Sequence, residues 1–217
     1  RIFLTASGGP FLDLPLDQFR DVTPARALRH PTWEMGPKIT IDSATMMNKA
    51  LEIVEARWLF GLAADSISVL IHRQSIVHSM VEFVDGSILA QLGVPCMTVP
   101  ARYALAYPGR ALTERSYFDV ERFASLTFAA PDRLRFPALD LGYRVARETG
   151  LAGTVFNAAN EIAVARFLDG DITFDRIAPL CAGVLDRMDD RTDPTLEQIL
   201  AADSWARAEA ERCLIPS

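Results

Sequence analysis

The 217-residue sequence has no long apolar run, no paired cysteine motif, no excess of positive charge and no internal repeat. Each absence excludes something. Without roughly 20 consecutive apolar residues, no helix is expected to span a bilayer. Cys96, Cys181 and Cys213 are odd in number, far apart and form no CxxC, so a reduced compartment without structural zinc is expected. Lys and Arg total 22 against 28 Asp and Glu. The resulting formal charge of −6 argues against a nucleic-acid-binding surface but leaves room for a local basic pocket. The chain also lacks an initiating Met and opens on Ile2-Phe3-Leu4-Thr5, a buried strand already in progress. We therefore expect a fragment or excised region whose compartment is not legible from this end. What remains is an ordinary globular composition, half apolar and 23% charged, with length for one large or two modest domains.

The stretch that organises the rest is 38–60, KITIDSATMMNKALEIVEARWLF. Ile39 and Ile41 alternate with Lys38, Thr40 and Asp42, which predicts a short strand. The period then lengthens to that of a helix, with Met47, Leu51, Val54 and Trp58 as its apolar stripe. Asn48, Glu52 and Glu55 occupy an adjoining face, with Lys49 beside them. Asp42 and Ser43 stand where a helix needs side-chain oxygens to cap its free N–H groups. A strand turning into a helix at Asp-Ser-Ala-Thr offers those N–H groups and hydroxyls to an anion. One turn on lie an amide, a cation and a carboxylate within mutual reach. On the residues alone, Glu52 reads as a solvated carboxylate paired with Lys49 or Arg57, and Asn48 as a surface amide.

Upstream, Ala6-Ser7-Gly8-Gly9-Pro10 closes the first strand with two glycines, whose backbone can approach a ligand closely or form an anion-binding nest. Residues 14–28 carry a mostly polar helical pattern. In Arg29-His30-Pro31-Thr32-Trp33-Glu34-Met35-Gly36-Pro37, two prolines and a glycine prevent helix, yet a His, a Trp and a Met are present. That suits either a lid or a surface plug. Downstream, 68–71 reads as a strand, and 75–84 and 87–92 as a hairpin turned at Asp85-Gly86. His72 is expected to be a hydrogen-bonded structural residue. Residues 93–100 form a second Pro-rich loop containing Met97, followed by a short helix at 103–107 and a long connection over 111–137. The remainder is helical, over 138–148, 157–168, 175–188 and 195–214.

Taken together, LTASGGPF, RHPTWEMGPKITIDSATMMNKALEIVEARWLF, LIHRQSIVHSMVEFVDGSILAQLG and FNAANEIAVARFL closely resemble the 1-deoxy-D-xylulose 5-phosphate reductoisomerase family. The resemblance implies an α/β catalytic domain, a sheet flanked by helices with a β-hairpin, over 1–107. A linker would cover 108–136 and an all-α C-terminal bundle 137–217. It implies NADPH- and divalent-metal-dependent (Mg²⁺ or Mn²⁺) conversion of 1-deoxy-D-xylulose 5-phosphate to 2-C-methyl-D-erythritol 4-phosphate, in non-mevalonate isoprenoid synthesis. Ser7, His30, Ser43, Asn48 and Lys49 match substrate-binding positions, chiefly around the phosphate, and Trp33 lies in the loop over the substrate. Glu52 matches a metal ligand, and with Lys49 is assigned to catalysis. Met35, Gly36, Pro95 and Met97 match the nicotinamide side, and His78 the site wall. A homodimer is implied, with no nucleic-acid or membrane partner, in the cytoplasm if the source is bacterial, with a plastid as the alternative.

The same comparison places the family's glycine-rich dinucleotide-binding domain and its acidic metal segment upstream of Arg1, so the chain alone is expected to be inactive. Where the family commonly reads Pro-Asp-Met-Arg, this chain reads Pro95-Cys96-Met97-Thr98, and Arg73 replaces a common Pro. A loop held less firmly is expected at the first difference and a local change at the second. Two alternatives stand beside the enzyme: a non-catalytic phosphosugar-binding or dimerisation module of the same fold, and a metal-dependent aldolase or isomerase without nicotinamide.

Overall fold

The computed structural model describes residues 1–29, 35–113, 119–189 and 193–214. Four strands, β1 (Ile2–Ala6), β2 (Ile67–Ile71), β3 (Val77–Glu82) and β4 (Ile88–Leu92), form one sheet in the order β2-β1-β3-β4. β1 runs parallel to β2 and antiparallel to β3, which pairs antiparallel with β4. Along β2 the burial alternates, Ile67, Val69 and Ile71 facing the core, as the period of two requires. The β3–β4 hairpin turns where expected. Gly86 takes a φ of +83°, and the Asp85 carboxylate accepts the Ser87 N–H at 2.9 Å. Every residue of β4 is exposed.

The strand expected over 38–42 is instead helix. α2 (Pro37–Thr45) follows the four-residue α1 (Pro24–Ala27), and α3 (Met47–Phe60) follows α2 after one residue. Pro37 has a φ suited to the first helical position and needs no amide partner there. The Gly36 carbonyl accepts both the Thr40 N–H at 3.1 Å and its hydroxyl at 2.8 Å. Thr45 likewise donates to the Ile41 carbonyl at 2.9 Å, so the β-branched residues satisfy their own hydroxyls inside the helix. Burial of Ile41 and Ala44 then outweighs their local preference. Asp42 and Ser43 therefore do not cap a helix start; they lie in the body and last turn of α2.

The buried face of α3 is Met47, Ala50, Ile53 and Ala56, whereas Trp58, expected in the apolar stripe, is 61% exposed. The reason is the small-residue contact made by α6 (Ala138–Glu148). A Cβ added to Gly142 would lie 2.7 Å from the Cα of Ala50. Close backbone approach replaces long side chains there.

Between them, α4 (Thr98–Ala106) begins five residues before the expected helix, and α5 (Val120–Phe123) is a single turn in the long connection. The polar segment 14–28 is broken into a 3₁₀ turn at Leu16–Asp21 and α1, because Pro24 must open a new helix. α6 has the bounds expected. α7 (Ala152–Asp169) starts earlier than 157 and ends at Gly170, whose φ is +84°. α8 (Ile177–Leu185) and α9 (Leu196–Arg212) complete the helical region, α9 opening on a capping box between Thr195 and Gln198.

The architecture is thus a mixed sheet with helices, continued by a helical C-terminal region, as expected. Buried residues from both parts, among them Phe11, Ile41, Met47, Phe136, Phe156 and Ile177, form one contiguous core. α2 and α3 are held from behind by the C-terminal helices. Among the described residues, no helix is long and apolar enough to cross a membrane.

Candidate active site

After β1 the chain passes Ser7 and turns through Gly8 and Gly9, at φ of +90° and +65°. A Cβ on Gly9 would stand 2.7 Å from the Ser43 carbonyl oxygen. Only glycine lets this loop lie directly on the last turn of α2. The Ser7 hydroxyl accepts the Gly9 N–H at 3.4 Å, which fixes the turn from within.

Met46 joins α2 to α3 in the left-handed region, at φ +61° and ψ +12°, and is 2% exposed. It serves as the end of one helix and the start of the next, with no side-chain cap. This sharp joint brings Ser43, on the last turn of α2, beside Asn48 and Lys49 on the first turn of α3. Lys49 is 8% exposed, and its Nζ lies 2.6 Å from Oε2 of Glu52. The other Glu52 oxygen accepts Asn48 Nδ2 at 2.8 Å. An amide, an ammonium and a carboxylate thus form one hydrogen-bonded triad on a single helix face.

Ser7, Ser43, Asn48, Lys49 and Glu52 all border one cavity of about 420 Å³, together with Met35, His78 and Met97. His78 is held by a contact from Nε2 to the Gly93 carbonyl at 3.1 Å. Gly36 caps the start of α2 and Pro95 precedes Met97 by two residues; neither borders the cavity. His30 and Trp33 lie outside the described residues. His72 is fully buried, contacting the Thr127 carbonyl through Nδ1 at 2.8 Å and stacking on Phe128, a structural position. A larger cavity, about 720 Å³, lies among Arg20, Arg176 and Arg187, but none of the motif residues borders it. Thr5, Ile39, Met46 and Ser75 also line the smaller cavity and were not singled out from sequence. A strand would put Ile39 and Ile41 on one face; in the helix Ile41 turns into the core and Ile39 to the cavity, so the strand expectation hid Ile39.

Cys96, Thr98 and Arg73, the residues expected to depart from the family pattern, each have partners in the structure. Hydrogen bonds from the Thr98 hydroxyl and backbone hold the Cys96 thiol below its usual value. Arg73 makes a bidentate pair with Asp13, at 2.7 and 2.6 Å, and keeps that exposed carboxyl low.

Among the described residues no three metal-ligating side chains cluster, and Glu52 is the one carboxylate on the cavity. A magnesium or manganese ion takes about six oxygens, so Glu52 fits one ligand of a shared site and not a closed cage. With Lys49 beside it, the donor set suits a phosphate-bearing molecule whose other oxygens meet a divalent ion.

Two family profiles match the chain. "DXP reductoisomerase C-terminal domain" covers residues 92–209, and "1-deoxy-D-xylulose 5-phosphate reductoisomerase C-terminal domain" covers 1–60. The chain is 53% identical to the 1-deoxy-D-xylulose 5-phosphate reductoisomerase of Geobacter metallireducens, over 99% of its own length and 56% of the relative's. With that of Thermomicrobium roseum it is 54% identical, over 97% and 55%. The Zymomonas mobilis enzyme solved with NADPH superposes at a TM-score of 0.92 and 45% identity, over 100% of this chain and 56% of that one. A reductoisomerase solved with NADPH, fosmidomycin and magnesium superposes at 0.88 and 43%, over 99% and 55%. The chain spans a little over half the length of these relatives. With more than half of its residues matched by one profile, the chain belongs to the 1-deoxy-D-xylulose 5-phosphate reductoisomerase family.

Proposed function

We propose that this chain supplies the phosphate-binding wall and one metal-binding carboxylate of an enzyme that converts 1-deoxy-D-xylulose 5-phosphate to 2-C-methyl-D-erythritol 4-phosphate with NADPH. The observation that carries the reading is the convergence of Ser7, Ser43, Asn48, Lys49 and Glu52 on one cavity. The Lys49 ammonium, largely taken from water, would grip the phosphate by a charge-assisted bond, and the two serine hydroxyls would orient it. A Mg²⁺ or Mn²⁺ ion, shared by Glu52 with oxygens beyond this set, would hold neighbouring substrate oxygens and stabilise negative charge during the skeletal rearrangement. Asn48 would keep the Glu52 carboxylate turned into the cavity. Met35 and Met97, with Gly36 and Pro95 alongside, would give the nicotinamide a soft apolar border from which hydride reaches the rearranged aldehyde. His30 and Trp33 belong to the same reading as a phosphate partner and a cover that keeps water from the intermediate.

Assembly and location follow from it. β4 is an edge strand with Ile88 and Leu89 more than half exposed, a surface suited to pairing with a second copy across a two-fold axis. A cytoplasmic setting is part of the proposal, since the relatives named are bacterial enzymes.

The test is NADPH oxidation by the protein carrying this chain, with 1-deoxy-D-xylulose 5-phosphate and Mg²⁺, beside Lys49→Met and Glu52→Gln. Turnover that falls at least about a hundredfold in each is expected, the scale of one lost transition-state contact. Unchanged turnover in both would overturn the assignment.

A further inference from the structure

Asp42 adjoins Ser43 in sequence but sits in the core, only 2% exposed. One of its oxygens accepts Nδ2 of Asn160, on α7, at 2.9 Å; the other pairs with Nζ of Lys38, one turn back on α2, at 2.6 Å. Asn160 is fully buried, and its Oδ1 has no hydrogen-bond partner among the described residues, so the Asp42 contact is the bond that orients this amide. The two residues are 118 apart in sequence. Burial raises the Asp42 pKa against the pull of Lys38 and Asn160. Ionising this carboxylate therefore works against burial, and a buried ion pair of this kind is weak evidence of stabilisation.

What the contact does provide is direction. α2 also meets its surroundings through Ile41 and Ala44, whose burial is by itself non-directional, and through the Gly9 loop at the Ser43 carbonyl. Ile39 and Ser43, four residues apart, form the face of α2 that borders the cavity. Lys38 and Asp42, also four apart, form the next face. A small rotation of α2 would carry Ser43 out of the cavity wall.

We propose that the Asp42–Asn160 hydrogen bond is a positioning contact, through which the C-terminal helix α7 holds α2 so that Ser43 and Ile39 stay turned into the anion site. This rests on the reading that the cavity binds phosphate. Neither residue touches the ligand; both act through Ser43.

The experiment measures inorganic phosphate binding by titration calorimetry, and thermal midpoint separately, for the chain and three variants. Asp42→Leu combined with Asn160→Leu removes the tie while filling the space. It is expected to hold or raise the midpoint yet weaken phosphate about fivefold or more, the worth of one hydrogen bond. Asp42→Asn combined with Asn160→Asp restores a carboxylate–amide bond in reverse and is expected to recover most of the affinity. Unchanged affinity in the leucine pair would overturn the proposal. So would a loss that disappears on cooling to where the variant is fully folded, because that marks a general stability effect. Should the leucine pair fail to fold, Asn160→Ala is read by the same two criteria. If the unaltered chain itself takes up no phosphate, the underlying reading of the cavity falls instead.

Discussion

Lys49 and Glu52 face each other one turn apart on α3, Nζ to Oε2 at 2.6 Å, with the lysine side chain 10% exposed and the glutamate 33%. A pair so placed is half inside the protein and half on the cavity. Removing the cation by Lys49→Met should weaken phosphate binding about tenfold or more, the loss of one charge-assisted bond. The thermal midpoint should move little, because solvent reaches Glu52 and screens it. Calorimetric titration beside a melting curve checks both; a large drop in midpoint with affinity intact would reverse the assignment.

Gly9 is the point where the β1 loop touches the end of α2. Gly9→Ala puts a methyl group 2.7 Å from the Ser43 carbonyl at a φ of +65°. A loss of about 1–3 kcal/mol is expected from the clash and the left-handed backbone together. Phosphate affinity should fall with it, because Ser7 and Ser43 are displaced from one another. Gly142→Ala, against Ala50 behind α3, should destabilise by a similar amount and serves as the comparison. Denaturant unfolding of both variants measures the effect.

The pH dependence of stability isolates Asp42. Its folded-state pKa is raised above the ordinary carboxylate value of 3.8 by burial. Below that value the group is protonated in both states and costs nothing; as pH rises through the raised pKa, ionisation charges a buried group and stability is lost. Asp42→Asn should therefore melt above the unaltered chain at neutral pH. The gap should close in acid. A gap that widens in acid would give the opposite sign and refute the argument.

The thiols should react in a defined order. Cys96, held low by Thr98, is expected to be alkylated well ahead of Cys181, which is fully buried and pushed up by burial and by the Asp42 charge. Thr98→Val should slow Cys96 and shift its pH–rate curve upward. Timed iodoacetamide labelling with peptide mass spectrometry reads both.

Leu89, on the exposed edge strand, tests assembly. Leu89→Arg should shift the chain toward monomer in light scattering and remove any dependence of the thermal midpoint on protein concentration, since the residue is 66% exposed within one copy.

Much of this was legible in the residues. The family followed from long motifs, the hairpin from Asp85-Gly86, and α6 from its apolar period and Gly150. The triad of Asn48, Lys49 and Glu52 follows from helical spacing alone. The misreading of 38–42 has a physical cause. Ile39 and Ile41 alternate with Lys38, Thr40 and Asp42 at a period of two, and nothing local says that the Thr40 hydroxyl will bond back to a helix carbonyl. Gly36-Pro37 was the signal for a helix start, read instead as the end of a loop. The stripe on α3 was misassigned because small residues, Ala50 and Gly142, made the contact that large ones usually make. The chain's two lysines, Lys38 and Lys49, both fall in this stretch, but of the two only Lys49 borders the cavity. Asp42 could not be placed without Asn160, 118 residues away.

The joint at Met46 sets how far the site can reach. There the negative end of α2 abuts the positive end of α3, so their dipoles largely cancel beyond a turn's distance. The chain as a whole carries a formal net charge of −6. A dianion approaching from solution thus meets repulsion first, and attraction only once it is close enough to touch Lys49. Added salt should then quicken the arrival of a phosphorylated ligand while loosening its hold, two effects of opposite sign from one ionic strength.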